Sequence, residues 1–271
     1  MNESDFIYLI KIVIIGLVQG LTEPIPVSSS GHVMIASELL GLGEQGFTFV
    51  ILTNTASLIA ILMIYRRDII RLIVNSISYL KTKESDYKND FQFIRFLILA
   101  TFPAGILGLL LNDFIAEQTS MTTIALMLFM TGIALWLIKD IKGRKDEGDI
   151  YARDSLLVGF GQSLALIPGI SRSGATIISS IAVGMNQDTA LRFSFLLYIP
   201  ISLAGVVLGL SNFVNEPDKS NLAAPYLLAF FTTLLMTYIA MKWFISVLKN
   251  GKLLYFSYYC FIVGTLLFMF Y

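Results

Sequence analysis

The sequence predicts an all-α polytopic membrane protein, with six full transmembrane helices plus two re-entrant helical hairpins in two inverted-topology repeats. Three observations carry that expectation. The 271 residues are 56% hydrophobic and only 14% charged, a balance that soluble domains rarely show. Two apolar regions are too long for one helix, and proline or glycine interrupts each near its middle. Lysine and arginine fall on alternate connections between apolar segments, as the positive-inside rule requires.

The first broken region covers about residues 8–42 and contains "EPIPVSSSGH", from Glu23 to His32. Pro24 and Pro26 stop a helix there, because proline lacks the N–H and clashes with the preceding turn. Three spans follow, at about residues 47–65, 91–111 and 122–138, each close to the roughly 20 residues that cross a bilayer core. The loop of about residues 66–90 carries "IIRLIVNSISYL", an amphipathic piece expected to lie at the membrane interface. The second broken region, about residues 155–185, is interrupted at Pro168 and Gly169. Spans at about 193–210, 226–241 and 254–270 complete the chain. Backbone irregularity at membrane depth is tolerated only where protein or a cavity satisfies the freed groups, so each broken region reads as a hairpin of two half-helices. A single kinked span is the alternative for either one alone.

The two broken regions are related. Gly16, Gln19, Leu21, Ser28, Ser30 and Gly31 recur at one constant offset as Gly159, Gln162, Leu164, Ser171, Ser173 and Gly174. Each region precedes three spans, so an odd number of crossings inverts the second unit relative to the first. The chain is therefore expected to be one integral membrane domain, 1–271, with repeats at about 1–140 and 150–271. Fourteen of the nineteen basic residues lie on one side in this scheme, on the connections near residues 66–88, 139–153 and 242–252. That side is cytoplasmic. Both termini then lie outside, and the hairpins enter from opposite faces. The acidic start "MNESD" argues against a cleaved signal peptide.

The chemistry is concentrated at the two breaks. "SSSGH" at Ser28 and "SRSGAT" at Ser171 each begin a half-helix. Serine is a good N-cap, and a helix N-terminus offers unpaired N–H groups and a positive dipole end to phosphate or carboxylate. Arg172 adds a guanidinium fork that matches phosphate oxygens. The copies also differ. The first has Glu23 and His32 where the second has Leu166 and Ala175, and the second has Arg172 where the first has Ser29. Ionisable groups inside a membrane are costly and point to function. Against that stand simpler roles: Glu23 as a structural partner of Arg172, His32 as a satisfied core residue, and Ser28 and Ser30 as caps. Gln19 lies one turn before Glu23, on the same face. Cys260 is the only cysteine, which excludes a thiolate metal cluster. A zero net charge leaves no electrostatic footprint for nucleic acid.

"QGLTEPIPVSSSGH" and "LIPGISRSGATI", with "PAGILGLLL" at Pro103 and "FSFLLYIPISLAG" at Phe193, resemble the undecaprenyl-diphosphate phosphatases, or bacitracin-resistance (BacA) family, over nearly the whole chain. The resemblance implies removal of one phosphate from undecaprenyl diphosphate, a lipid carrier of cell-wall synthesis. It also implies a reaction at the outer, periplasmic face of the cytoplasmic membrane that uses a divalent cation, Mg2+ or Ca2+. By motif, Glu23 would bind the metal, with Gln19 as a candidate second ligand. Ser29 and His32 would be nucleophile and acid–base partner, and Arg172 would hold the diphosphate. Ser28, Ser30, Gly31, Ser171, Ser173, Gly174 and Thr176 would line the site. Expected partners are the polyprenyl diphosphate, the bilayer and a second copy of the chain as a homodimer.

One departure is "ILTNTASLIAIL", where Thr53, Asn54 and Thr55 replace an expected glutamine–glycine pattern. The type-2 phosphatidate phosphatase mechanism needs separate histidines for nucleophile and acid, and His32 is the only one here. That mechanism is excluded. A flippase or transporter of a phosphorylated lipid or small anion would use the same anion site and repeats, but not a hydroxyl beside an imidazole and an acid. A purely structural role gives no reason for a polar site inside the membrane.

Overall fold

The computed structural model describes residues 3–43, 46–117, 120–214, 219–249 and 251–271. Among these the regular structure is helical: α1 (Glu3–Thr22), α2 (Ser29–Leu39), α3 (Phe47–Thr82), α4 (Lys88–Glu117), α5 (Met121–Ile138), α6 (Ala152–Leu164), α7 (Arg172–Ala182), α8 (Gln187–Val214), α9 (Lys219–Lys249) and α10 (Leu254–Phe270). Five of them, α3, α4, α5, α8 and α9, are long and apolar enough to cross a membrane. The sixth expected span is α10, which has 17 residues and is a shorter apolar helix. Leu109, Leu137, Phe231 and Ile262 are each more than half exposed. Side chains of that kind in such numbers suit lipid rather than water. The protein is a multi-pass, all-helical membrane protein.

The amphipathic segment does not form a separate element. It continues α3 without a break to Thr82, where Lys83 turns left-handed at φ 59°. No proline or glycine lies between Tyr65 and Thr82, so nothing in the backbone ends the helix earlier. Its side chains meet the start of α4. Asn75 donates to Asp90 at 2.6 Å, Arg71 pairs with Asp90 at 3.3 Å, and the Tyr79 and Phe91 rings are 4.9 Å apart. Several turns of α3 thus cross over the start of α4.

Both broken regions form helix pairs. Pro24 and Pro26, two prolines in three residues, end α1, whereas the single Pro103, Pro200 and Pro225 lie inside α4, α8 and α9. An isolated proline in a long apolar helix loses one hydrogen bond, which neighbouring helices can compensate. Two so close remove consecutive turns. α6 and α7 pack together, and the connection before α6 runs beside the end of α7: the N–H groups of Arg144 and Lys145 both donate to Gly184 at 2.9 Å. The pair therefore turns back on itself. At the other break α2 packs on α1, and Leu40 and Leu42 return to Ile12 and Ile15.

The most extensive helix pairings correspond when the two halves are exchanged, although α7 also packs on α8 with no comparable α2–α3 pairing among the described residues. α1 packs on α9 as α6 packs on α4, while α3 packs on α8 and α5 on α10. Glycine makes the first two contacts close. A Cβ on Gly20 would lie 2.6 Å from the Thr233 carbonyl oxygen and 3.0 Å from the Thr237 nitrogen; one on Gly159 would lie 2.6 Å from the Ala100 oxygen. These obstacles are backbone, which cannot swing aside. Gly20→Ala is expected to destabilise the fold by about 1–3 kcal/mol, the usual cost of overpacking. Gly105→Ala in α4 meets nothing within 4 Å and should be neutral or slightly stabilising. Thermal unfolding in detergent measures both, and equal midpoints for the two variants would contradict the packing argument.

Candidate active site

The first break is built from its prolines outward. Val27 N–H closes a tight turn on the Ile25 carbonyl at 2.8 Å, and Ser28 takes φ 68° to reverse the chain. The Ser28 hydroxyl then caps α2 by accepting from Gly31 N–H at 3.3 Å. In the second break, Gly169 has φ 96°, and a Cβ there would meet Ile124 Cα at 2.9 Å. Only glycine fits that conformation and that gap. Ser171 caps α7 by accepting from Gly174 N–H at 3.1 Å.

The breaks touch each other. Ser173 Oγ donates to the Ile25 and Glu23 carbonyls at 3.1 and 3.2 Å, and Ser171 Oγ reaches the Ile25 carbonyl at 3.4 Å. Carbonyls left without helical partners where α1 ends are thus satisfied by serines of the other break, as buried polar backbone demands. The starts of α2 and α7 face a common cavity of about 540 Å³, lined by Gln19, Glu23, Ser29, Ser30, Ser171 and Arg172. Intrahelical bonding begins only at His32 and Ala175, and the Gly31 and Gly174 N–H groups are capped, so the N–H groups of Ser29, Ser30, Arg172 and Ser173 are the donors left by the two first turns.

Glu23 is nearly buried and accepts two hydrogen bonds on Oε2. One comes from Gln19 Nε2 at 2.9 Å, the other from Ser29 Oγ. Gln19 Nε2 also donates to Asn54 Oδ1 at 3.0 Å, so Asn54, inside the segment that departs from the expected pattern, reaches the site. Arg172 stands apart from the carboxylate. Its guanidinium lies 5.1 Å above the Tyr198 ring and donates to Ser202 Oγ at 3.4 Å, and among the described residues it has no salt bridge. A Glu23–Arg172 ion pair, the simpler role for this acid, is not formed.

The expected pairing of Ser29 with His32 is not present. His32 Nδ1 bonds the Ser28 carbonyl at 2.8 Å, and Nε2 bonds Tyr259 Oη at 2.8 Å, with the two rings stacked 5.5 Å apart. A carbonyl can only accept, so Nδ1 carries the hydrogen, and the neutral ring accepts from Tyr259. The Ser29 hydroxyl turns to Glu23 at the end of α1, whereas the His32 ring turns to α10. His32 braces the turn that presents Ser29. Ser28, Gly31, Ser173, Gly174 and Thr176 likewise do not line the cavity. Ser28 and Ser173 join or cap the breaks, and Gly31 and Gly174 supply capped N–H groups. Thr176 bonds back to the Arg172 carbonyl at 3.0 Å.

The match to known proteins covers the chain almost completely. The family model of the bacitracin resistance protein BacA matches residues 12–266. The chain belongs to the BacA family. Relatives from that family include Undecaprenyl-diphosphatase 1 of Bacillus cereus, 50% identical over 268 residues, 98% of this chain and 99% of the relative. Undecaprenyl-diphosphatase 1 of Bacillus licheniformis is 48% identical over the same shares. Undecaprenyl-diphosphatase of Oceanobacillus iheyensis is 48% identical over 98% of each chain. Membership in this family agrees with the resemblance drawn from the two motifs.

Among the described residues no group of three or more His, Cys, Asp or Glu could hold a metal ion. The oxygen atoms around Glu23 are nevertheless hard donors, its own carboxylate, the Ser29 hydroxyl and the Asn54 amide oxygen, while Gln19 turns its amide nitrogen to both Glu23 and Asn54. That set suits Mg2+ or Ca2+, with too little charge to hold the ion unless phosphate oxygens share it. Sequence reasoning missed Tyr198, Ser202 and Tyr259 as neighbours of the site. They lie in spans whose local pattern is merely apolar, and no signal in the sequence marks them as polar contacts of the two breaks.

Proposed function

We propose that the protein hydrolyses undecaprenyl diphosphate to the monophosphate and inorganic phosphate. The observation that carries this reading is Arg172, a cation without a carboxylate partner among the described residues, which shares a cavity with two half-helix N-termini and a Glu23-bound serine hydroxyl. Arg172 and the first-turn N–H groups bind the diphosphate oxygens and stabilise charge that builds on them. Ser29 Oγ attacks the terminal phosphorus while Glu23 takes its proton, and the bridging P–O bond breaks to release the monophosphate. Water then attacks the phosphoserine, and the proton held on Glu23 returns to Ser29. The names of the relatives support the substrate. Release of inorganic phosphate by purified protein in detergent, where transport cannot occur, is the direct test. A protein that released none would instead be a lipid or anion carrier, the reading that the exchange-symmetric helix pairing also suits.

A divalent cation belongs to the same proposal. Glu23 would hold it, with substrate oxygens supplying the remaining charge, and it would neutralise the phosphoryl oxygens as a Lewis acid. Gln19 is one turn from Glu23 and already bonded to it. Gln19→Glu would add a second carboxylate there, and is expected to retain activity while lowering the metal concentration for half-maximal rate. Titration of the rate with Mg2+ and Ca2+ measures this, and an unchanged or raised requirement would remove Gln19 from the metal's surroundings.

The same reading places the two helix pairs as re-entrant hairpins in inverted repeats, with the cavity open to the outside of the cytoplasmic membrane. The joined ends of α6–α7 and the symmetric pairing support it. On a Cys260→Ser background, a cysteine at Ser120 should react with an impermeant thiol reagent added to intact cells. Cysteines at Ser85 and Lys142 should react only after the membrane is opened. Labelling of all three from one side would refute the inverted arrangement.

A further inference from the structure

The cationic and acidic arms of the cavity come from different helices, Arg172 from α7 and Glu23 from the end of α1. One buried side chain on a third helix touches the support of both. Tyr198 of α8 is only 6% exposed. Its ring lies beneath the Arg172 guanidinium at 5.1 Å, and Ser202, one turn on along α8, accepts from Arg172 Nη1 at 3.4 Å. The Tyr198 hydroxyl donates to the Asn54 backbone carbonyl at 3.3 Å. The Asn54 side chain then accepts from Gln19, whose amide also holds Glu23. An unbroken line runs Arg172–Tyr198–Asn54–Gln19–Glu23–Ser29.

We propose that Tyr198 is a positioning residue that fixes Arg172 for the diphosphate and sets its distance from the Glu23–Ser29 pair. The inference rests on the phosphatase reading of this cavity and adds to it a specific role for α8. Two physical effects are involved. The ring face attracts the guanidinium and holds its plane, so that less rotamer freedom is lost when an anion binds. The hydroxyl ties that ring to α3, so a shift of α8 against α3 would move Arg172 relative to the nucleophile. Apolar helix packing alone would not couple the two arms in this way, because it has no preference for where the guanidinium points. A tyrosine at this position does both through one side chain.

Two substitutions separate the effects. Tyr198→Phe keeps the ring and loses the tie to Asn54; Tyr198→Leu loses both. For Tyr198→Leu we expect KM for undecaprenyl diphosphate to rise about tenfold. The inhibition constant of inorganic phosphate should rise in the same proportion. Tyr198→Phe should keep KM within about twofold and lower kcat instead, since the anion is still bound but the two arms are less well registered. A residue that only filled space would lower thermal stability and the yield of active protein without changing KM or phosphate inhibition, and that result overturns the proposal. Calorimetric binding of inorganic pyrophosphate to the full-length protein in detergent reads the same effect without turnover. Wild-type protein that binds pyrophosphate but releases no phosphate from the lipid would refute the phosphatase reading. In that case, about tenfold weaker pyrophosphate binding by Tyr198→Leu would still uphold the positioning role, and equal binding would reject it.

Discussion

Arg172→Ala is expected to lower phosphate release from undecaprenyl diphosphate by roughly 10²–10³-fold, the range typical for loss of one preorganised donor to a developing oxyanion. The size follows from the surroundings of the guanidinium. It has no salt bridge among the described residues and is held only by an aromatic face and one hydroxyl, so its charge is available to the ligand. In a water-poor cavity that charge acts with little screening. Arg172→Lys should recover only a small part of the loss, because an ammonium cannot present the planar two-donor fork or stack on Tyr198 in the same way. Steady-state phosphate release in detergent, with matched elution profiles to certify folding, measures both variants. Arg172→Ala protein with more than about a tenth of the wild-type rate would remove the anion clamp from the mechanism.

The second large effect concerns the pair that the cavity brings together, Ser29 and Glu23. Ser29→Ala and Glu23→Gln should each reduce the rate by about a thousandfold or more, since one removes the attacking oxygen and the other its proton acceptor. The double variant should be scarcely slower than the worse single, because the two groups serve one step and their losses do not add. A multiplicative loss would mean that they act independently. Glu23→Gln keeps the size of the side chain and one carbonyl acceptor for Gln19, so its effect isolates the charge. His32 enters differently. It touches the Ser28 carbonyl and Tyr259 rather than Ser29, so its substitution acts through the capping turn that presents the nucleophile.

Much of this is legible in the sequence because its causes are local. Pro24, Pro26, Pro168 and Gly169 end helices through their own backbone chemistry. Ser28 and Ser171 cap α2 and α7, and the Gln19–Glu23 spacing puts both on one helix face. Where a local signal is weak, sequence and structure part. The segment after Tyr65 looks like a separate interfacial piece, yet without proline or glycine it simply prolongs α3. The closeness of Ser29 and His32 in sequence suggests a catalytic pair. Each side chain instead takes a partner that only the packed fold supplies, Glu23 for the hydroxyl and Tyr259 for the imidazole.

The sequence by itself determined the membrane class, the two breaks, their caps and the residue types gathered there, since composition, periodicity and backbone chemistry need no knowledge of distant parts of the chain. The tertiary structure alone decided the partners. It brought Ser173 to the carbonyls of Glu23 and Ile25, Asn54 to Gln19, Tyr198 beneath Arg172 and Tyr259 to His32. Those contacts depend on how far each helix is rotated and how closely it approaches its neighbour. That in turn is set by glycine gaps such as Gly20 against α9 and Gly159 against α4, whose effect exists only once two segments far apart in the chain are packed together.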